Sequence, residues 1–538
     1  MQTVPPTAGP LAACPHCGAR VAKPTGPVRF EYGVGVVGNQ RCDKCGANWR
    51  YQWQDRKTRR RRGFLFPAFV VVLVAAIVVG AVALASSREP DHPTAWNARI
   101  RPIATRVETL RGLSFQHPVK VNFLAPSEFE SRLAADTGDA AERRRQAERT
   151  AALMRTMGLL GADVDLTRAQ NAIRAAGTLA YYDDDTKQVY VRGTGPLTVD
   201  QRVALAHELT HVLQDQVYDL NKLSRRARES DSGSLDAFEA LVEGDATRVQ
   251  NLYVAGLPPG ERDDYALRAL AAQRATQERT ADVPAVVSAA FGAPHVFGEP
   301  VTQVLAAEGG NASVDAAIDG PPPSTRIYFD PGAVKQAKPI PPVPDLDDDE
   351  QRLPALDDRD DHFDNFTFYL MLAAKLDLPT ALRAADAFST GSQVAYTSGG
   401  RTCLRAAING VTRASSRYLY DVLGRWTATM PHAGVSFTAT GVLLNSCDPG
   451  DRATTPDNAR IQRAVRVAAG RDELVGALAR QPLPIGLAVC AARVLVQQPE
   501  FRDAILDGTG FDRPTPAMVQ ASADAGQACR ADPKTGVP

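Results

Sequence analysis

The longest unbroken apolar stretch in the chain runs from Phe64 to Ala85, FLFPAFVVVLVAAIVVGAVALA, and carries no charge. At 1.5 Å per residue a helix of that length crosses a hydrocarbon core of about 30 Å, so the pattern predicts a membrane span. Pro67 falls in the first turn, where a missing N–H costs little. Five basic residues in KTRRRRG (Lys57–Gly63) precede the span, whereas Arg88, Glu89 and Asp91 follow it. That asymmetry predicts a cytoplasmic N-terminus, with the rest of the chain outside. A cleaved signal peptide fits poorly, because more than sixty residues precede the segment.

Beyond the span the periodicity changes from element to element. SSREPDHPTAWNA reads as a linker. VKVNFLAP (Val119–Pro126) alternates like a strand, and SEFESRL then predicts a helix capped by Ser127. AAERRRQAERTAALMRTMGLL has the period of an amphipathic helix with a solvated arginine face. Thr178–Gly193 predicts a hairpin, two β-rich runs around an Asp/Thr/Lys turn. In TVDQRVALAHELTHVLQDQVYDL, Thr198 and Gln201 form a capping-box pattern, so a helix is expected from about Val199. Lys338–Asp364, rich in proline and aspartate, reads as a loop or linker without the spacing of a calcium loop. From Phe366 onward the pattern is read as mainly helical.

Composition sharpens this in two places. With 61 basic and 61 acidic residues in 538, net charge favours neither nucleic acid nor an acidic partner. An apolar content of 44% suits globular domains. The eight cysteines split around the apolar segment. Cys14, Cys17, Cys42 and Cys45 precede it; Cys403, Cys447, Cys490 and Cys529 follow. Two redox compartments account for the split, with thiolates for metal inside and disulfides outside. Four outer cysteines allow three pairings, of which Cys403–Cys447 and Cys490–Cys529 is the local choice. CPHCG and CDKCG each turn two thiolates toward one ion, the pattern of tetrahedral zinc–sulfur ligation. Over residues 12–53 they resemble the zinc-ribbon family. Trp49, Tyr51 and Trp53 alternate like a strand within it.

The stretch AHELTHVLQDQ (Ala206–Gln216) carries the chemistry. On a helix, His207 and His211 stand one turn apart and can face one ion. Zinc there lowers the pKa of a bound water to about 7 and polarises a carbonyl, while the adjacent Glu208 takes the proton. A third protein ligand is needed. DAFEALVEGDATRVQNLYV offers Glu243, with Glu239, Asp236 and Asp245 as competitors.

HELTH followed by E-G-x-A resembles the gluzincin metallopeptidases, and the preceding hairpin is similar to the peptidase-MA-like group. The resemblance covers about residues 100–335. It implies His207, His211 and Glu243 as ligands of a catalytic zinc and Glu208 as general base. It also implies a strand edge that pairs with extended substrate, a place read here for QVYVRG. Two departures stand out. Where similar proteins carry S-T-E-Q-x-x-H-P, this chain has Arg326 and Asp330 at the glutamate and histidine positions. Thr247 replaces the aspartate of E-x-x-x-D, which leaves the group orienting a ligand histidine unassigned. Tyr328, His295 and His362 are the candidates for stabilising an oxyanion.

The expected architecture is α+β. A flexible N-terminus (1–11) leads to a cytoplasmic zinc ribbon (12–53), a transmembrane helix (64–85) and a linker (86–98). A zincin-like metallopeptidase domain (99–337), an acidic Pro-rich loop (338–364) and a helical, disulfide-containing region (365–538) follow. The expected activity is zinc-dependent hydrolysis of peptide bonds outside the cytoplasm. The expected partners are a peptide substrate and the bilayer, with no nucleic acid and room for a cytoplasmic partner of the ribbon. Two alternatives stand beside it: a zincin-fold binding module without turnover, and a ribbon-based sensor with an outer binding domain.

Overall fold

The computed structural model describes residues 92–538 except 135–139, 231–232, 337, 355–360, 480–482, 510 and 512–513. Of the first ninety-one residues it describes three strands and Lys44–Cys45. The expected membrane segment 64–85, the linker up to residue 91, and Cys14, Cys17 and Cys42 lie outside the described residues. Among the described residues no helix is long and apolar enough to cross a membrane.

The chain divides into two compact units, Met1–Glu89 and Pro90–Pro538. In the first, β1 (Arg29–Glu31), β2 (Gly35–Arg41) and β3 (Asn48–Trp53) form an antiparallel sheet in that order. Lys44 and Cys45 make the turn between β2 and β3, at the position of the expected second knuckle.

The second unit is α+β, as expected, and begins with α1 (Arg101–Arg111) and β4 (Val121–Leu124). Next come α2 (Pro126–Ala134), α3 (Ala140–Thr156) and α4 (Leu166–Ala175). Because α2 opens at Pro126, Ser127 lies inside it rather than capping it. The predicted hairpin is β5 (Ala180–Asp183) and β6 (Gln188–Arg192). Asp183 makes its turn by accepting the N–H groups of Asp185 and Thr186. The sheet order is β4–β6–β5, with β4 parallel and β5 antiparallel to β6. QVYVRG, expected to supply a free edge, is therefore β6 at the centre of the sheet. The outer strand of the hairpin is β5.

Helix α5 (Val199–Tyr218) starts at the predicted capping box, where Gln201 Oε1 accepts the Thr198 N–H at 2.9 Å. Then follow α6 (Leu220–Arg228), α7 (Leu235–Ala255), α8 (Pro259–Arg279), α9 (Ala285–Gly309) and α10 (Asn311–Ile318). Ser234 caps α7 by accepting the Ala237 N–H. Two 3-10 turns, Thr325–Tyr328 and Pro331–Lys335, close this half.

Beyond them come β7 (Gln351–Arg352), α11 (Asn365–Lys375), α12 (Leu378–Ala387), β8 (Phe388–Ser398) and β9 (Arg401–Gly410). After α13 (Arg413–Thr427) come β10 (Ala433–Phe437) and β11 (Val442–Cys447). Four helices end the chain: α14 (Asn458–Ala479), α15 (Ile485–Leu495), α16 (Pro499–Asp507) and α17 (Pro516–Ala531). The region read as helical thus also holds a five-stranded antiparallel sheet, β10–β11–β9–β8–β7. Cys403 and Cys447 are cross-strand partners on β9 and β11 and form one disulfide. Cys490 on α15 and Cys529 on α17 form the other.

The segment 338–364, expected to separate two domains, does not interrupt the core. One apolar cluster joins Phe238, Phe297 and Tyr328 to Phe366, Tyr369, Trp426 and Ile461. A second cluster packs α1, the β4–β6–β5 sheet and α5 around Val189, Val191, Leu205 and Leu209. The acidic loop is fastened to the five-stranded sheet, where Arg405 bonds the Asp345 carbonyl and pairs with Asp347 and Glu350.

Candidate metal centre

Helix α5 is buried nearly all round, with Leu205, Ala206, Leu209, Val212 and Leu213 shielded from solvent. Among its polar residues, His207, Glu208 and His211 fall together in its middle. Helix α7 packs against α5 and brings Glu243 to the two histidines. His207 Nε2 and His211 Nε2 stand 3.1 Å apart. Glu243 Oε2 is 3.2 Å from the first and 3.3 Å from the second. Among the described residues these three form the one group of His, Cys, Asp and Glu side chains suited to hold a metal ion.

The glycine after Glu243 explains the E-G pair. A Cβ on Gly244 would overlap the backbone of Gly298, and one on Gly298 would overlap the carbonyl of Ala240. Two glycines therefore let α7 and α9 cross backbone to backbone. That close crossing brings His295 of α9 to the group, its Nδ1 3.0 Å from Glu243 Oε2. Half of the His295 side chain is exposed (51%), so it stands at the mouth of the site.

Behind the donors runs a buried polar relay. His211 Nδ1 meets Gln214 Oε1 at 3.0 Å. The Gln214 amide donates to the Val242 carbonyl and to Asp245 Oδ2, each at 3.0 Å. Asp245 in turn pairs with Arg111 Nε at 2.5 Å and with Arg248 at 2.9 Å. The orienting role left open by Thr247 thus falls to Gln214, backed by Asp245. Gln214 stands three residues after His211 among other polar residues of the helix, Thr210 and Asp215, so the sequence does not single it out. His207 Nδ1 is buried and has no hydrogen-bond partner among the described residues.

The general-base candidate is fixed from the sheet side. Glu208 Oε2 accepts the backbone N–H of Tyr182, on β5, at 2.9 Å. The Tyr182 hydroxyl and Lys187 Nζ both bond Asp215 Oδ2 at 2.6 Å, tying the hairpin to α5. No side-chain pattern marks Tyr182 in the sequence, because its contribution to Glu208 is a backbone amide.

Comparison with protein-family models, with curated proteins and with solved structures finds no match. What the group can do follows from its own chemistry. Two imidazole nitrogens and one carboxylate oxygen are a donor set of zinc. With bonds of about 2.0–2.1 Å, the ligand atoms of a tetrahedral zinc stand about 3.3 Å apart, close to the three separations seen here.

Without a metal the site's charges shift one another. Burial pushes the Glu208 carboxyl up, and Glu243 adds to the effect against the two histidines. Burial opposes a charge on His211, but Glu243 and Glu208 together raise it to about 9. Burial alone would raise Glu243, yet the neighbouring imidazoles hold it well below the usual carboxylate range. Burial, Asp236 and Glu243 push Glu239 up to about 7.

The competing ligands fall elsewhere. Asp245 is committed to Arg111, and Glu239 and Asp236 stay outside the three-donor group. Of the oxyanion candidates only His295 reaches the site. Tyr328 is buried, stacks on Phe297 and donates its hydroxyl to the Asp236 carbonyl at 2.9 Å. His362 is bridged to Ser392, beside the five-stranded sheet. Arg326 and Asp330 pair with each other at 3.3 Å and line a cavity that none of the three donors lines.

Proposed function

We propose that the second unit is a zinc-dependent peptidase of the zincin type. In this reading it is anchored by residues 64–85 and acts on peptides outside the cytoplasm. His207, His211 and Glu243 would hold the zinc, and Cys14, Cys17, Cys42 and Cys45 a second, structural one. The observation that carries the reading is Glu208, placed between the three-donor group and the outer strand β5. Bound zinc would supply Lewis acidity, polarising the scissile carbonyl and acidifying a water.

The chain's own residues do the rest. Glu208, whose carboxyl burial has raised, accepts the water's proton and later delivers it to the leaving amine. An extended peptide pairs with β5, the strand beside Glu208. His295 at the mouth donates to the oxygen that gains charge. Gln214 and Asp245 keep His211 in one orientation.

A module that binds peptides without cutting them is the second reading. It is favoured by the bond between Glu208 and the Tyr182 amide, which engages the base in the free protein. Metal content and casein cleavage by residues 90–538 decide between them. Peptidase activity requires zinc in the wild type, zinc without cleavage in Glu208→Gln, and loss of zinc in Glu243→Ala. Zinc bound with no cleavage of casein or of a peptide library would leave the binding module. Absence of zinc binding would sink both.

A further inference from the structure

A cavity of about 480 Å³ opens where the C-terminal half of α9, the second 3-10 turn and α15 meet. On α9 it begins at Val304, about 13 Å along the axis from His295 at 1.5 Å per residue. Its volume lies in the range of small-ligand sites.

The charge on its walls is uneven. Arg326, Lys338, Arg493 and Lys534 line it against Glu308 and Asp330. Arg326 and Asp330 pair with each other, which leaves three cations facing the exposed Glu308. Arg493 is the decisive one. It is 6% exposed, and its Nε has no hydrogen-bond partner. The nearest carboxylate oxygen, Asp386 Oδ1, lies 3.6 Å from it and already accepts from Arg471 Nη1 at 2.9 Å. Asp472 Oδ1 lies 3.9 Å from Arg471 Nε, and burial pushes its carboxyl well above the usual range. Two buried guanidiniums thus meet at the same oxygen of Asp386. A buried charge short of partners is costly unless something completes it. Gln336 adds an amide, and an aliphatic part of the wall is formed by Leu305, Val334, Ile485 and Val489.

We propose that this cavity binds a small organic anion with an aliphatic body, a monocarboxylate whose carboxylate pairs with Arg493 while its hydrocarbon lies on Leu305, Val334, Ile485 and Val489. Lys338 and Lys534, both exposed, draw the anion to the rim. The site is independent of the peptidase reading, since it shares no residue with the three-donor group.

Calorimetric titration of the purified full chain with hexanoate tests it, with 1-hexanol as the same apolar body without the charge. Hexanoate is expected to saturate one site with a Kd of about 1 mM or below. A charged hydrogen bond carries enough for the alcohol to bind about tenfold more weakly, and for Arg493→Gln to weaken hexanoate by a similar factor. No saturable binding, equal binding of the alcohol, or unchanged affinity in a folded Arg493→Gln overturns the proposal. Should that variant fail to fold, Lys534→Glu at the exposed rim carries the test. There about threefold weaker binding is expected, and unchanged affinity overturns the proposal equally.

Discussion

Two buried charge clusters in the second unit use the same residue types to different ends. Beside the metal group, Arg111 and Arg248 face Asp245 and Asp315, so cations and carboxylates match in number. Beneath the cavity, Arg471 and Arg493 share Asp386, and Asp472 contributes a carboxyl whose oxygens have no hydrogen-bond partner. In the first, Arg111 Nη1 and Arg248 Nε still lack a hydrogen-bond partner, and Asp245 holds Gln214, whose Oε1 meets His211. In the second, the unpartnered Arg493 Nε belongs to a residue that lines a cavity. The two differ in access: a donor short of partners inside the core stays so, and one at a cavity wall can take a ligand.

The comparison breaks most sharply at Arg111. Arg111→Ala strands the fully buried Asp245, and about 3–5 kcal/mol of stability should be lost in urea unfolding. A loss below about 1 kcal/mol would mean that Arg248 alone balances Asp245. Gln214→Leu tests whether the first cluster works through His211. Zinc affinity, measured by competition with a chelator, should fall about 10–100-fold while the fold persists. Unchanged affinity would make the relay ornamental to the metal. Gly244→Ala attacks the helix crossing beneath both. A Cβ there must push α9 away, so about 1–3 kcal/mol should be lost and zinc held less tightly.

The gentlest test falls on the second cluster and carries the opposite sign. The folded Asp472 carboxyl holds its proton more tightly than the unfolded one. Native stability from this group is therefore greatest at acid pH and is lost as pH rises above the unfolded value of about 3.9. Asp472→Asn removes that loss. The variant should match wild type near pH 4 and melt above it at pH 7. A lower melting point at pH 7 would show that Asp472 is charged and paired after all.

The metal group is legible in the sequence because each of its marks has a local cause. Thr198 and Gln201 place the start of α5, the four-residue spacing places both histidines on one turn, and Glu243 stands beside a glycine that a close helix crossing requires. The hairpin can be read from its Asp-rich turn, and the outer disulfides from proximity along the chain. What escapes depends on contacts far apart in sequence. Which hairpin strand lies outermost is decided by β4, which pairs with β6 from more than sixty residues away. Gln214 looks like any polar helix residue until Asp245 is seen beside it. The C-terminal sheet does carry a usable sign. Gly399 and Gly400 both have positive φ, 55° and 76°, and join β8 to β9 as a two-residue turn. The apolar runs around them also fit a helical spacing, and that ambiguity hides the strands. The membrane span, and all of the ribbon's expected ligands but Cys45, lie outside the described residues.

The core shared across residues 338–364 bears on how the second unit comes apart. Phe297, Tyr328, Phe366 and Tyr369 belong to one cluster, so neither half keeps its interior when the other is removed. Shortened versions ending before Phe366 would expose that aromatic seam and aggregate rather than yield a smaller folded unit. Heating should melt the metal group and the disulfide-bonded sheet together, in one cooperative transition, although the sequence pattern assigns them to separate halves.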